Sequence, residues 1–362
     1  MNLADLVARA VTAAGPDGTG AVAVVGTAKN VGKTVTMNYL ANELSARGLA
    51  LGLVSSGRDG ETTDSFTGEP KPSVVPPLGS WVATAEGVLG ESASLLEIAD
   101  VGERPGLLGR LVLGRVREPW PLELVGPGSA AELAAVVRSL RALGADIVLV
   151  DGALDRVAAA HPAVSGAVVL ATGAAAGVSL QAIAERAGFL AWLWSRPAPR
   201  DSVVEELARE AVARGRVAFI DHGGRSPRLR MTPYRTCLGF EEDILAKAGD
   251  ASYVVVPGAV SQKFLNDASS WRDGDDFTVI ASAAVNVFAT EDPGVPILTV
   301  DPIRLLAVTV NPVSYRGVSY GSAEMVRAVA SQIERRTGFS MPVFDVVSGE
   351  SSGRSVTGMA VG

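Results

Sequence analysis

Short apolar runs alternate along this chain with stretches whose apolar positions recur at helical spacing. The runs predict strands over residues 21–25, 50–55, 110–116, 146–150, 167–171 and 217–220. The helical stretches are 33–47, 130–143, 178–194 and 202–214. Within the first of them, Met37, Leu40, Ala41 and Leu44 share one face. Further strands are predicted over 253–256, 277–281, 305–310 and 343–346, with a helix over 322–336 among them. Residues 1–14 place Leu3, Leu6, Val7, Ala10 and Val11 at helical spacing and predict a short amphipathic helix. Strands alternating with helices in this way imply an α/β fold: a mainly parallel sheet with helices on both faces. The proline-interrupted segment 195–200 is the expected boundary between a nucleotide-binding domain, 1–200, and a second α/β region, 201–362.

Composition narrows the class. A chain of 362 residues is long enough for two domains with large cores, and 48% hydrophobic against 20% charged residues describes a folded protein. The net charge of −7 and pI near 5.1 argue against general nucleic-acid or anionic-membrane binding. Cys237 stands alone, which excludes an internal disulfide and a Cys-rich zinc site. No apolar run approaches the length of a membrane span. The start lacks a basic region and holds Asp5, unlike a signal peptide, so a cytoplasmic location is expected.

Chemistry concentrates in Val24-Val-Gly-Thr-Ala-Lys-Asn-Val-Gly-Lys-Thr-Val35. A predicted strand runs into a glycine-containing turn and then into a helix. Backbone N–H groups around Gly32 can wrap a phosphate, Lys33 can reach the β- and γ-phosphates, and the Thr34 hydroxyl can ligate Mg²⁺. The strict phosphate-loop pattern asks for glycine where Thr27 stands, and Gly26 lies one residue earlier. The chain has five lysines against 27 arginines, and two of the five, Lys29 and Lys33, lie in this loop. The expected nucleotide contacts are Gly26, Thr27, Lys29, Asn30, Val31, Gly32, Lys33, Thr34 and Val35.

A second constellation is Asp146-Ile-Val-Leu-Val-Asp-Gly-Ala-Leu-Asp155. Its apolar strand delivers Asp151 at the carboxyl end, the edge where parallel sheets bind ligands. Asp151 there can hold Mg²⁺ with Thr34, or it can cap the following segment. Asp155 can orient water or be a solvated turn residue. Thr172-Gly173 ends another strand, either for close ligand approach or as a tight turn. His161 and His222 lack ligand spacing and are read as structural, with no zinc.

Residues 58–79 are rich in proline and glycine and carry Arg58, Asp59, Glu61 and Asp64. Such a loop excludes a regular helix or central strand and points to function or disorder. Arg58 is a further candidate contact to phosphate or to a second ligand.

At these residues the chain resembles the loop of dethiobiotin synthetase and its relatives, in the SIMIBI branch of P-loop proteins. The resemblance covers roughly the first 200 residues. That enzyme's substrate lysine at the end of the second strand is replaced here by Ser55 and Ser56, and its loop aspartate by Ala28. Both departures argue against carboxylation of a diamine. More narrowly, the chain resembles the KamB family, the reactivase subunits of lysine 5,6-aminomutase. The matching blocks are the loop, Gly57-Arg-Asp-Gly-Glu61 with Asp64, Thr67 and Pro70-Lys-Pro72, Ala83-Thr-Ala85, Asp151-Gly-Ala-Leu-Asp-Arg156, Thr172-Gly-Ala174 and Val310-Asn-Pro312. This resemblance implies an accessory protein acting beside a MutS-like reactivase ATPase on a cobalamin- and pyridoxal-phosphate-dependent aminomutase, using ATP to exchange damaged cobalamin.

The expected activity is nucleoside-triphosphate hydrolysis with ATP and Mg²⁺, carried by Lys33 and Asp151, with Thr34 and Asp151 on the metal. The alternatives are an ATP-dependent small-molecule ligase or kinase, with a second substrate beside Arg58, and a non-hydrolysing nucleotide-dependent scaffold. Neither base preference nor oligomeric state is legible.

Overall fold

The computed structural model describes residues 1–15, 18–57, 73–106, 108–153, 157–221, 226–271, 277–314 and 317–352. Arg58, Asp59, Glu61 and Asp64, with most of the loop 58–79, lie outside the described residues, as do Asp155, Arg156 and His222.

The chain forms two compact units, Met1–Ala191 with Arg304–Gly362, and Trp192–Ile303. The first stretch opens with α1 (Leu3–Ala13), β1 (Ala21–Gly26), α2 (Lys33–Ala46) and β2 (Leu51–Ser55). It continues through β3 (Trp81–Ala85), β4 (Leu96–Gly106), β5 (Gly109–Val116) and α3 (Ala130–Ala142). β6 (Ile147–Ala153), β7 (Ala167–Gly173) and α4 (Leu180–Trp194) complete it. Trp192–Ile303 carries α5 (Ser202–Ala213), β8 (Ala218–Asp221), β9 (Arg228–Met231), α6 (Glu241–Leu245) and β10 (Tyr253–Val256). It goes on with β11 (Val260–Ser261), α7 (Gln262–Trp271), β12 (Thr278–Ala283), β13 (Val287–Phe288) and β14 (Ile297–Asp301). The last stretch adds β15 (Leu305–Asn311), α8 (Ser322–Thr337) and β16 (Val343–Phe344).

Among the described residues the first unit holds a nine-stranded sheet in the order β16-β15-β7-β1-β6-β2-β3-β5-β4. Every pairing from β16 to β3 is parallel, and only β5 and β4 turn antiparallel at one edge. The central strands are continuous apolar runs because both faces are covered. On one face Val22, Val24, Leu51, Leu53, Ile147 and Leu149 pack with Met37, Leu40 and Leu44 of α2 and with Leu3 and Val7 of α1. On the other, Gly52 lets Leu140 of α3 come close to β2, and a side chain there would begin 3.3 Å from it. The α/β class, with a large, mostly parallel sheet between helices, is as the sequence pattern predicts.

The contiguous boundary near residue 200 is corrected. β15 pairs in parallel with β7, so residues 304–362 return to the first sheet and the second unit is an insertion. Apolar periodicity marks 305–310 as a strand but carries no information about which sheet it joins. The second unit is a separate five-stranded sheet, β14-β12-β10-β8-β9, with β14, β12 and β10 parallel and α5 packed on one face.

Among the described residues no helix is long and apolar enough to cross a membrane.

Candidate functional site

The phosphate-loop candidates lie where β1 hands over to α2. β1 occupies the interior of the sheet, between β6 and β7. The chain leaves β1 toward β2 on one side, and later crosses from β6 to β7 on the other. Reversals of this kind open a crevice at the carboxyl ends of the strands, and the loop 27–32 lies at that end of β1.

The loop's glycines answer to specific neighbours. A side chain on Gly26 would begin 2.8 Å from Cγ and Cδ of Lys33 and 2.9 Å from Val31. The Lys33 stem therefore folds back over the last residue of β1. That explains why the first glycine is at 26: it is the position the lysine crosses. Gly32 has φ +94°, in the left-handed region where L side chains are strained. Asn30 is also left-handed, at φ +59°, a conformation asparagine tolerates better than most residues.

Thr27 is used differently from the glycine it replaces. It is fully buried, its N–H donates to the Ala171 carbonyl at 2.8 Å, and its hydroxyl donates to Thr172 Oγ1 at 3.0 Å. One helical turn on, Thr36 Oγ1 and Thr309 Oγ1 lie 2.9 Å apart, also buried. The loop and the helix behind it are thus tied by hydroxyl pairs to β7 and β15. Sequence reasoning missed Thr36, Thr309 and Asn311 as partners of this loop. At the Thr172-Gly173 motif the contacts are within the sheet: Thr172 accepts from Thr27, and Gly173 admits the Asn311 carbonyl at the end of β15, which a side chain would meet at 2.6 Å.

α2 starts at Lys33 with Gly32 as its N-cap. It has no side-chain cap and no acidic residue in its first turn. Its N-terminal N–H groups and partial positive charge are directed to the carboxyl edge of the sheet. Lys29 is exposed, whereas Lys33, Thr34 and Val35 are half-buried and Val31 is buried.

Asp151 stands toward the carboxyl end of β6, the strand next to β1. In register it pairs with Val24 of β1 and Ser55 of β2. It follows Ile147 and Leu149, which belong to the α2 face, so strand alternation sends its side chain to that same face. Ser56 N–H donates to the Asp151 carbonyl at 2.8 Å, which holds the chain after β2 against β6. Gly57 and Gly126 close a small backbone loop there: Gly57 N donates to Pro127 O at 2.9 Å, and Gly126 N to Gly57 O at 3.2 Å. A side chain on Gly126 would overlap the Ser55 carbonyl. The segment 122–127 therefore lies along the carboxyl ends of β2 and β3, fastened by Thr84 Oγ1, which donates to Glu123 O and accepts from Val125 N.

Other candidates fall elsewhere. His161 Nδ1 accepts from Ala163 N at 3.2 Å inside its own turn. Among the described residues no group of three His, Cys, Asp or Glu side chains could hold a metal ion. Cys237 belongs to the second unit, where it is buried.

No protein-family model matches this chain, and neither a curated protein nor a solved structure matches it significantly. The chemistry of the site must therefore be argued from its own geometry.

Proposed function

We propose that the first unit binds ATP with Mg²⁺ on the loop 27–32 and hydrolyses it. The observation that carries this reading is the Lys33 stem laid over Gly26 beside the uncapped start of α2, at the carboxyl edge of a parallel sheet. A lysine beside a helix N-terminus that has no side-chain cap suits a polyphosphate. The oxygen donors at hand, the Thr34 hydroxyl and the Asp151 carboxylate, are of the hard type that Mg²⁺ takes. Mg²⁺, when bound, neutralises charge on the phosphates. Lys33 holds the β- and γ-phosphates, and the N–H groups of Gly32 and Lys33 orient them. Phosphoryl transfer needs positioning and charge neutralisation more than covalent help, and these residues supply both.

The proposed biological role follows the resemblance to the KamB family. In it, the chain is an accessory ATPase that, with a MutS-like partner, drives exchange of damaged cobalamin on lysine 5,6-aminomutase. The motif blocks in both sequence halves support it. The test mixes purified chain, partner ATPase and an aminomutase loaded with hydroxocobalamin. ATP-dependent release of the damaged cofactor supports the role, and release that ignores this chain refutes it. Product analysis separates the ligase or kinase reading, which requires a joined or phosphorylated second substrate, from hydrolysis, which yields only ADP and phosphate.

A further inference from the structure

β15 is a mostly apolar strand with one hydroxyl buried in it. Thr309 is 2% exposed and stands in register between Ala171 of β7 and Phe344 of β16, neither of which has a polar side chain to offer it. A hydroxyl in such surroundings costs stability unless it is hydrogen-bonded. Its partner is Thr36 Oγ1 of α2, 2.9 Å away and also buried. Two residues further along β15, Asn311 packs against Gly32, and the Cβ that Gly32 lacks would stand 2.9 Å from Asn311 Cβ.

The two contacts match in spacing. Thr309 and Asn311 are two apart on a strand, so they line one face of it about 6–7 Å apart. Gly32 and Thr36 are four apart at the start of a helix, so they lie one above the other, about 6 Å apart along the axis. One face of β15 therefore grips α2 at two points a turn apart. The first is the N-cap, Gly32. The second is the residue that closes the first turn, where Thr36 N–H donates to the Gly32 carbonyl at 2.9 Å. Apolar packing alone leaves a helix able to roll slightly about its axis. A hydrogen bond is directional and weakens steeply as it bends. The hydroxyl pair thus sets the roll of α2, and with it the direction of the N–H groups that open the helix.

We propose that Thr309 is a positioning residue for the nucleotide: through Thr36 it holds the first turn of α2 in the orientation in which its N–H groups meet phosphate oxygens. The inference rests on the nucleotide reading of the first unit. It adds to that site a residue of the returning stretch 304–362, which the chain reaches only after the second unit.

The test uses the full chain, with ATP affinity measured by calorimetry in Mg²⁺ and the melting temperature measured without nucleotide. Thr309→Val keeps the shape and strands the Thr36 hydroxyl. It is expected to melt lower and to bind ATP about tenfold more weakly, the worth of one well-aligned hydrogen bond. Thr309→Ser keeps the hydroxyl and should restore the affinity. Thr36→Val with Thr309→Val strands nothing, so it should recover melting temperature but not affinity, a split that a merely structural role does not produce. This double variant also carries the test if Thr309→Val alone does not fold. The control is Thr232→Val in the second unit, which deletes a buried hydroxyl that donates to the Val217 carbonyl at 2.6 Å and should lower the melting temperature without changing ATP affinity. Lys33→Ala separates the two readings. If it weakens ATP binding while folded Thr309→Val binds like wild type, the nucleotide site stands and the positioning role is overturned. Recovery of affinity in the double variant overturns it too, because packing would then suffice. A wild-type chain that binds no ATP removes both.

Discussion

Asn311 occupies the space into which a side chain on Gly32 would grow: the position of that missing Cβ lies 2.9 Å from Asn311 Cβ. The contact joins the loop after β1 to the end of β15, a strand that reaches the sheet only after the second unit has been traversed. Gly32 is also left-handed, at φ +94°. Gly32→Ala meets two separate costs, about 1–2 kcal/mol for the backbone conformation and a further steric term. Urea unfolding is expected to give a loss of about 2 kcal/mol or more. Asn311→Gly made in the Gly32→Ala background should return the steric part and leave the backbone part. If the double variant is no more stable than Gly32→Ala, the contact does not constrain the loop.

Lys33→Ala is expected to weaken ATP binding by about 1.5–3 kcal/mol, the worth of a charge-assisted contact, or roughly 10- to 150-fold in Kd. Asp151→Asn keeps the shape of the side chain and removes its charge, so it should retain the fold and lose Mg²⁺-dependent turnover. Calorimetry with ATP and Mg²⁺ checks the first, and phosphate release with and without Mg²⁺ the second. Normal affinity in a folded Lys33→Ala protein would remove the phosphate site. Normal turnover in Asp151→Asn would leave Asp151 a structural role only.

Thr27→Val deletes one hydroxyl of a fully buried pair and strands the other on Thr172. A buried polar group left without its partner costs about 1–3 kcal/mol, whereas replacing both with apolar groups of the same shape can be nearly neutral. Thr27→Val is therefore expected to destabilise by about that amount, and Thr27→Val with Thr172→Val by less. Thermal unfolding of the three proteins decides it. Additive losses would mean that the two hydroxyls do not depend on each other.

Much of this arrangement was legible in the sequence. β1 is an apolar run, β6 and β7 each open on one, and α2 places Met37, Leu40, Ala41 and Leu44 on its buried face, so the loop between β1 and α2 was found by its context. Edge elements were harder. In β4, residues 97–100 are all exposed, and no alternation betrays a strand. β9, reading Arg-Leu-Arg-Met, is short and charged, as an edge strand must be to avoid pairing with another chain. What could not be read at all is contact between distant segments. Thr27 meets Thr172, and Thr36 meets Thr309, through single hydrogen bonds that leave no period in the sequence. The return of β15 beside β7 is likewise a choice between two sheets, which local hydropathy does not record.

Cys237 should behave as an inert thiol. Burial pushes its pKa up to about 11, and its sulfhydryl donates to the Ala259 carbonyl. The thiolate is the reactive species, so near pH 8 little of it exists and a reagent cannot easily reach it. Labelling with a thiol-specific disulfide reagent at pH 8 is expected to be slow in the native protein and fast in denaturant. Rapid native labelling would show that the turn carrying Leu238 and Phe240 opens readily.

Asp345 connects the end of β16 to the start of α8. Its carboxylate accepts from Ser322 Oγ at 2.6 Å, Val347 N at 2.9 Å and Ser348 N at 3.3 Å, and Ser348 Oγ closes the group at 2.8 Å from Ser322 Oγ. Burial alone would raise its pKa, but these hydrogen bonds outweigh burial and hold it below the ordinary value of 3.8. A carboxylate lowered in the folded state adds stability above its unfolded pKa, and that stability is lost as pH falls through the folded value. The first unit should therefore lose stability progressively as the pH falls below about 4. Asp345→Asn removes the ionisation, so its stability should vary less over this range than that of the wild-type chain. Asp345→Ala leaves Ser322 and two N–H groups without their acceptor and should cost about 1–3 kcal/mol at neutral pH. Urea unfolding at pH 7 and pH 3 measures all three proteins. If Asp345→Asn loses as much stability on acidification as wild type, other carboxylates govern the acid limit of this unit and Asp345 serves only as a cap.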